Sequence, residues 1–138
     1  MAEFSTYMEN KIIEVMRATN FTAVAAYVAL FTAVTGLEDD NPTSEVPTAG
    51  GTLYVRQLAG LSAAVGDGVT SNAGDITFPT AGADWGTVTH VALVDHETNV
   101  NWGTDVHVFM WSALDASKAV GNGDTFKINA TELDVTVA

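Results

Sequence analysis

The hydrophobic pattern of the chain centres on residues 78–95, where a Pro-Thr-Ala-Gly turn leads into the alternating stretch 87–94. This stretch is rich in β-branched residues, which favour a pleated and half-buried surface. Successive side chains of a strand point to opposite faces, and here both faces are largely apolar. That pattern is typical of the middle of a sheet, so we predict the central strand of a small β-sandwich. The two predicted faces consist of Val88, His90, Ala92 and Val94, and of Thr87, Thr89, Val91 and Leu93.

The N-terminal segment has the periodicity of a helix. Residues 5–19 place apolar side chains at intervals of three and four, with charged residues mostly on the other side. Thr6 and Glu9 have the spacing of a capping box, and Asn20 is a typical stop signal. The pattern predicts an amphipathic helix that packs on the sheet or, alternatively, on a neighbouring subunit or partner. Its apolar stripe consists of Met8, Ile12, Val15 and Met16.

Two further stretches separate this helix from the β-rich part of the chain. Residues 25–33 predict a buried strand, but their Ala and Leu content leaves a second helix as an alternative. Residues 35–51 are rich in Gly, Pro, Ser, Thr, Asn and acidic residues. A loop of this length in a compact domain is usually functional or mobile, and we expect it to be exposed at one end of the molecule.

From Thr52 onward the chain alternates between short strand patterns and turn residues, which is typical of a sandwich or jelly roll. We therefore predict a mainly β protein, an antiparallel β-sandwich or jelly roll with one N-terminal amphipathic helix. Residues 1–20 are expected to form a helical arm and residues 21–138 a β-sandwich domain. The strands predicted after the long loop cover residues 52–58, 61–65, 75–78, 87–94, 105–114, 118–120, 126–128 and 133–137, the last with Leu133, Val135 and Val137 inward.

The charge balance excludes several classes of partner. With 5 Lys and Arg against 17 Asp and Glu, the chain has a formal net charge of −12 at pH 7. Binding nucleic acid or anionic lipid requires clustered cations, so we expect neither a nucleic-acid partner nor a membrane partner. Apolar residues make up 47% of the chain, which is typical of a folded domain. Its longest apolar stretch, residues 23–34, is shorter than the roughly twenty residues of a membrane span, so we expect a soluble protein.

The residue types that usually carry catalysis or metal binding form no known motif in this chain. It has no Cys, which excludes thiol catalysis and cysteine zinc sites. It also lacks the nucleophile elbow, the P-loop and the calcium-loop pattern. We therefore expect no enzymatic activity, no cofactor and no metal site, with a weak cation site as the open alternative. The groups concerned are Glu38, Asp39 and Asp40, which we expect to be solvated, and His90, His96 and His107.

Trp102 lies in an Asn-rich segment with the composition of a loop. A tryptophan in a loop can stack on a sugar, anchor a protein interface or cap the core of its own domain. Together with the apolar side of the helical arm, it is a candidate for contact with a partner. The candidate contact residues are Tyr7, Met8, Ile12, Met16 and Trp102.

Seven blocks of helix, strand and turn residues occur in order along the chain. They are MAEFS at residues 1–5, AYVALFTA at 26–33, ITFPTA at 76–81, ADWGTVTH at 83–90, ALDASKAV at 113–120, GDTFK at 123–127 and LDV at 133–135. Together they resemble a family of small structural proteins of tailed bacteriophages. Members are commonly described as tail-fibre-like, and similar short acidic proteins serve as capsid cement or decoration proteins. The acidic loop at 38–45 and the segment 99–105 are not part of the resemblance.

The resemblance implies a non-enzymatic virion protein made in the host cytoplasm. A fibre usually carries an elongated stalk or coiled coil, and this chain has neither pattern, so a capsid cement protein is the leading expectation. It would bind the major capsid protein on the outer face of the assembled lattice, as a homotrimer, and stabilise that lattice. The alternative is a tail-associated, fibre-like adhesin whose loops bind a host-surface glycan or protein. A third possibility is a carbohydrate-binding module outside any virion, based on Trp102 and the acidic loop.

Overall fold

The computed structural model describes residues 2–22 and 24–137, and within these ranges it contains nine strands and one helix. The paired strands are antiparallel, which confirms the predicted mainly β fold class with one N-terminal helix. Met1 and Ala138, where the predicted domains begin and end, lie outside the described residues, and the division at residue 20 stays a prediction. The elements are β1 Glu3–Phe4, α1 Thr6–Met16, β2 Tyr27–Phe31, β3 Gln57–Leu58, β4 Val69–Ser71, β5 Ile76–Thr77, β6 Gly86–Val94, β7 Val108–Val120, β8 Lys127–Ile128 and β9 Asp134–Thr136.

The largest sheet has five strands in the order β1-β7-β6-β2-β3. β6 lies in the middle of this sheet, as the pattern of residues 87–94 predicted, because it pairs with β2 on one side and β7 on the other. β2 is buried from residue 28 to residue 31. This confirms the buried strand predicted in residues 25–33 and excludes the alternative helix there.

A second, less extensive layer covers one face of the large sheet. It consists of two ribbons, β4–β9 and β5–β8. Their residues Ile76, Ile128 and Val135 belong to one core cluster with Val28 and Leu30 of β2. The second layer therefore buries one side of β2 and β6 much as the second sheet of a sandwich does.

Connecting segments, rather than strands, cover the opposite face. Leu37 and Val106 pack there in a smaller core cluster with Phe31. Leu37, Asp40 and Val46 are all buried, so the expected exposure of residues 35–51 is wrong in part. Apolar residues of this loop point inward, because the face of β2 opposite the second layer would otherwise be exposed to solvent.

A wide bulge separates two parts of the β6–β7 pairing. Between the pairs Val88–Lys118 and His90–Ala113, four residues of β7 lie opposite a single residue of β6. A bulge changes the alternation of the strands on either side of it. Val88 consequently belongs to the same core cluster as Leu93, so its predicted assignment to the opposite face is wrong. β7 also continues through the bulge as one strand, where separate strands at 105–114 and 118–120 were predicted.

Several predicted boundaries are also corrected by the structure. Only Gln57–Leu58 of the predicted strand 52–58 is a strand, and residues 61–65 form no strand. Val137 was expected to point inward but is exposed. These segments have few backbone hydrogen-bond partners, so alternation of side chains alone overestimated their pairing.

The helix ends earlier than its sequence pattern indicated, and its N-cap lies one residue before the predicted one. Ser5, and not Thr6, is the N-cap, because its hydroxyl accepts a hydrogen bond from the Met8 N–H at 3.2 Å. The last helical residue is Met16, and Ala18 then has a φ of 63°, which interrupts the helical backbone. The predicted extent to residue 19 and the stop at Asn20 are therefore wrong.

Candidate partner-binding surfaces

The helical arm, residues 1–20, is fastened to the large sheet at the start of its helix. The fully buried Ser5 hydroxyl donates to the Val108 carbonyl, and the Ser5 N–H donates to the Phe109 carbonyl at 3.1 Å. The Thr6 N–H donates to the Glu38 carbonyl at 2.8 Å. The first turn of the helix is thus tied both to β7 and to the long loop.

An aromatic and acidic cluster supports the same end of the helix. The ring of Tyr7 stacks on the ring of His107 with 3.7 Å between centroids and 3° between planes. The His107 Nδ1–H donates to Asp40 Oδ2 at 2.5 Å, and the Val108 N–H donates to Asp40 Oδ1 at 2.6 Å. Partial burial, followed by the charges of Asp95 and Asp40, raises the pKa of Tyr7 above 10.0. Asp40 is therefore a buried structural acceptor, and the expectation that it is solvated is wrong.

The rest of the helix lies largely in solvent. None of its residues is buried, although its base is firmly held. Ile13, Val15 and Met16 are all exposed, and Met16 is 74% exposed at the end of the helix. Phe21, just beyond the arm, is also partly exposed while its ring meets Phe109 edge-on at 6.3 Å. Exposed apolar side chains grouped on one element are typical of an interaction surface.

The candidate contact residues of the arm become more exposed from the start of the helix to its end. Tyr7 lies at the anchored base, where Lys11 Nζ sits 5.2 Å above its ring. Met8 and Ile12 are half-buried, and Met16 is exposed. The apolar stripe predicted from the sequence is therefore present on the helix, but only its first half reaches the sheet.

A second surface is built around Arg56, which is 4% exposed. Its Nε and Nη2 atoms donate to the two carboxylate oxygens of Glu45 at 2.7 and 2.8 Å. Its Nη1 atom donates to the carbonyls of His96 and Asn99 at 2.7 and 2.9 Å. One side chain thus joins the long loop, the segment before β3 and the loop after β6.

Tyr54 completes this network from inside the core. Its hydroxyl donates to Glu45 Oε1 at 3.0 Å and accepts from the Leu30 N–H at 2.9 Å. Burial, and then the charge of Glu45, raises the pKa of Tyr54 well above 10.0, so the phenol stays protonated and donates at neutral pH. Glu45 is consequently held by three donor atoms and has a fixed orientation.

Trp102 packs onto this network and is half-buried. The guanidinium carbon of Arg56 lies 4.8 Å from the centroid of its ring, and Phe31 lies 6.1 Å away. Among the three roles expected for this residue, the contacts establish the capping of its own core. Part of the indole also lines a cavity of about 330 Å³, and Val100 lines both this cavity and a neighbouring one of about 230 Å³. We call these two cavities together the loop-end groove.

The outer edge of β7 is a third candidate surface. β1 covers it only at Met110 and Trp111, so residues 112–119 form an edge without a neighbouring strand among the described residues. A cavity of about 680 Å³ lies between this edge and residues 126–134. An uncovered strand edge is a possible site for pairing with another chain.

The described residues contain neither a metal-binding cluster nor a membrane-spanning helix. In residues 2–22 and 24–137, no three His, Asp or Glu side chains are grouped so that they could hold a metal ion. In the same ranges, no apolar helix has the length needed to cross a membrane. The histidines instead have individual surroundings, such as the contact of His96 Nδ1 with the Thr98 N–H at 3.1 Å.

Sequence reasoning did not identify Arg56, Glu45 or Asp40 as organising residues. A signal for Arg56 was present in the sequence, because the alternation of residues 52–58 puts Arg56 on the same side as the aromatic Tyr54. A cation at a position that faces the core requires a buried acidic partner. Glu45 could not be identified as that partner, since the sequence does not distinguish it from the other carboxylates of the long loop.

One comparison with known proteins gives a match. A family model described as "Podophage GP4 fiber I protein gp80" matches residues 3–136 of the chain. No curated protein matches the chain. The matched range contains every element from β1 to β9 and confirms the resemblance to small structural proteins of tailed bacteriophages.

Proposed function

The chain belongs to the family of the podophage GP4 fiber I protein gp80, and from this membership we propose that it is a structural subunit of a tail-associated fibre of the virion. The family description supports a fibre-type structural protein of a phage particle. Because the family is named for a fibre protein, we favour the fibre over the capsid surface in this proposal. The lack of a stalk pattern in this chain carries less weight, since other subunits of a fibre can supply its length.

The exposed half of the helical arm is the observation that carries this proposal. Ser5 and Tyr7 hold the base of the helix against β7, whereas Ile13 and Met16 face solvent. A helix fixed at one end and apolar at its free end is suited to contact with another virion subunit. No described residue of the helical arm lines the loop-end groove, so a different partner can bind there. One subunit would thus combine attachment through the arm with recognition through loops.

Capsid decoration is the second candidate function. The observation that favours it is the short, mainly β chain, whose described part forms layered sheets without an elongated element. A protein that binds only the assembled lattice stabilises that lattice by mass action. The major capsid protein would then be the partner of the helical arm, with the strand edges in a supporting role.

Localisation in the parent particle separates the two functions. We would determine the structure of the virion by cryo-electron microscopy and fit this chain into the density. A fibre subunit should appear at the tail vertex, with its helical arm against a neighbouring virion protein. Density on the capsid shell at the local symmetry axes would contradict the fibre role and support decoration. Absence from the particle would contradict both.

The oligomeric state requires a separate measurement. A homotrimer was expected from the family resemblance, and this expectation stays a prediction. Native mass spectrometry of the purified chain should give three times the mass of 14.5 kDa if it is correct. A different multiple would overturn the trimer without affecting the assignment to a fibre, because fibre attachment does not depend on three-fold symmetry.

A further inference from the structure

We propose that the loop-end groove binds an uncharged, hydroxyl-rich glycan. This inference rests on the proposed function, since a fibre subunit with a recognition surface needs a ligand on the host. The groove consists of two cavities of about 330 and 230 Å³ that share Thr48 and Val100 in their walls. Ligand sites in proteins are typically clefts from about 300 Å³ upward, so the larger cavity alone has room for a sugar unit.

The groove has a rigid polar floor. Glu45 lines the larger cavity and Arg56 the smaller, and the two side chains are joined by two hydrogen bonds. The Arg56 side chain is 3% exposed and the Glu45 side chain 11%, so each presents only a small part of its surface to the groove. Because both side chains are already fixed, binding a ligand costs little side-chain entropy.

The walls supply the other contacts that a sugar requires. Trp102 and Val100 give apolar surface, on which the C–H face of a sugar ring can pack. Thr43 and Thr48 line the larger cavity, and a threonine hydroxyl can both donate and accept a hydrogen bond. Apolar walls with a few fixed polar groups are typical of small-ligand sites.

The charge of the groove selects against an anionic ligand. Arg56 is paired with Glu45 through Nε and Nη2, and its Nη1 donates to two backbone carbonyls. Glu97 adds a further carboxylate to the smaller cavity, and the chain as a whole has a formal net charge of −12. An acidic sugar or a phosphate would meet repulsion from these groups. The hydroxyls of a neutral glycan can instead donate to the carboxylate oxygens.

A pair of matched substitutions tests the site. Val100→Arg places a long charged side chain across both cavities, and Val65→Arg makes the same change at a residue that does not line them. Val100 is 61% and Val65 67% exposed, so both variants should fold normally. The probe is an array of neutral oligosaccharides built from hexose and N-acetylhexosamine units, with sialylated and phosphorylated glycans alongside. Isothermal titration calorimetry would follow any hit.

We expect the unsubstituted chain and Val65→Arg to bind the same neutral glycan. Val100→Arg should weaken that binding by about tenfold or more, the loss expected when a main contact is blocked. Equal binding by Val100→Arg and Val65→Arg would overturn the site, and hits confined to anionic glycans would overturn the ligand class. If no glycan binds, the glycan inference fails while a chain located on the fibre still supports the proposed function. Conversely, neutral-glycan binding by a chain located on the capsid shell would contradict only the fibre role.

Discussion

The guanidinium of Arg56 and the carboxylate of Glu45 form a bidentate, largely buried ion pair, with N–O distances of 2.7 and 2.8 Å. Removing two charges from water is costly, and the cost is offset only when geometry and additional hydrogen bonds are good. Here Tyr54 and two backbone carbonyls provide those additional bonds. The pair therefore determines how the loops at this end of the molecule are arranged.

Replacing Glu45 with Gln should destabilise the protein strongly. The amide has nearly the same shape, but it leaves the positive charge of Arg56 buried without a counter-charge. We expect the free energy of unfolding to fall by about 3 kcal/mol, as for other buried pairs that lose one partner. Urea denaturation followed by tryptophan fluorescence measures this change.

The matched control is the exposed pair of Glu14 and Arg17 on the helix, whose N–O distance is 2.8 Å. Glu14→Gln should change the free energy of unfolding by less than about 0.5 kcal/mol, because solvent screens exposed pairs. Equal losses for Glu14→Gln and Glu45→Gln would contradict the organising role of the buried pair.

Two glycines of the long loop give a second test of its fixed conformation. Gly36 and Gly50 have φ values of +80° and +74°, which disfavour any other residue. A Cβ on Gly36 would lie 2.0 Å from the Asn41 carbonyl oxygen, whereas a Cβ on Gly50 would meet nothing within 4 Å. Gly50→Ala should therefore cost only the conformational penalty of about 1–2 kcal/mol. Gly36→Ala should cost more than about 3 kcal/mol, because backbone must also move.

Thermal unfolding of both alanine variants measures the difference. If Gly36→Ala and Gly50→Ala lower the melting temperature equally, the close approach of Gly36 to Asn41 is not maintained in solution. The comparison is independent of the φ penalty, since both glycines have nearly the same φ.

The sequence was sufficient to predict the features that depend on local hydrophobic alternation. Residues 87–94 predicted the central strand, and residues 25–33 predicted its buried neighbour, because both runs are apolar on two faces. The N-terminal helix could be predicted from the spacing of its apolar residues at intervals of three and four. These are features in which a residue's environment follows from its immediate neighbours in the chain.

Features that depend on distant residues could not be predicted in this way. Nothing near Asp40 in the sequence indicates that it accepts hydrogen bonds from Val108 and His107, which are more than sixty residues away. The bulge opposite Thr89 likewise depends on which residues of two strands pair. The candidate site shows both cases, since Trp102 was identified from its loop composition but Arg56 was not.

His90 gives a prediction about pH. Burial lowers the pKa of His90 below its ordinary value of 6.5. The unfolded chain therefore binds a proton more readily than the folded protein, and stability falls as the pH drops through 6.5 toward the folded-state pKa. We expect the His90 Hε1 resonance to titrate with a midpoint below 6.5 in an NMR experiment. A midpoint at or above 6.5 would contradict the inferred desolvation of the ring.

The difference between the pKa values of His90 in the folded and unfolded states should also be visible in stability measurements. His90→Gln removes the titrating group, so the variant should lose less stability than the parent between pH 7 and pH 5. The Thr89 hydroxyl, 2.8 Å from His90 Nδ1, remains available to the glutamine side chain or to solvent. Identical pH profiles for parent and variant would show that His90 does not contribute to the loss of stability in acid, which would contradict its lowered pKa.

The exposed half of the helical arm gives the last prediction. The double substitution Ile13→Lys and Met16→Lys replaces its apolar side chains with good helix formers, and cations near the C-terminus of a helix are favourable. The free energy of unfolding should therefore change by less than about 1 kcal/mol. Incorporation of the protein into virions should fall at least about tenfold, because apolar contact with the neighbouring subunit is lost.

Quantitative immunoblotting of purified particles measures incorporation, with Val65→Lys as the control for an exposed apolar residue outside the arm. Substitutions are preferable to deletion of residues 1–20, since deletion would also remove β1 and the buried Ser5. A deleted chain could fail to assemble merely because the edge of the large sheet is lost. Normal incorporation of the double variant would show that the arm does not contact the virion, and attachment would then have to be sought at the free edge of β7.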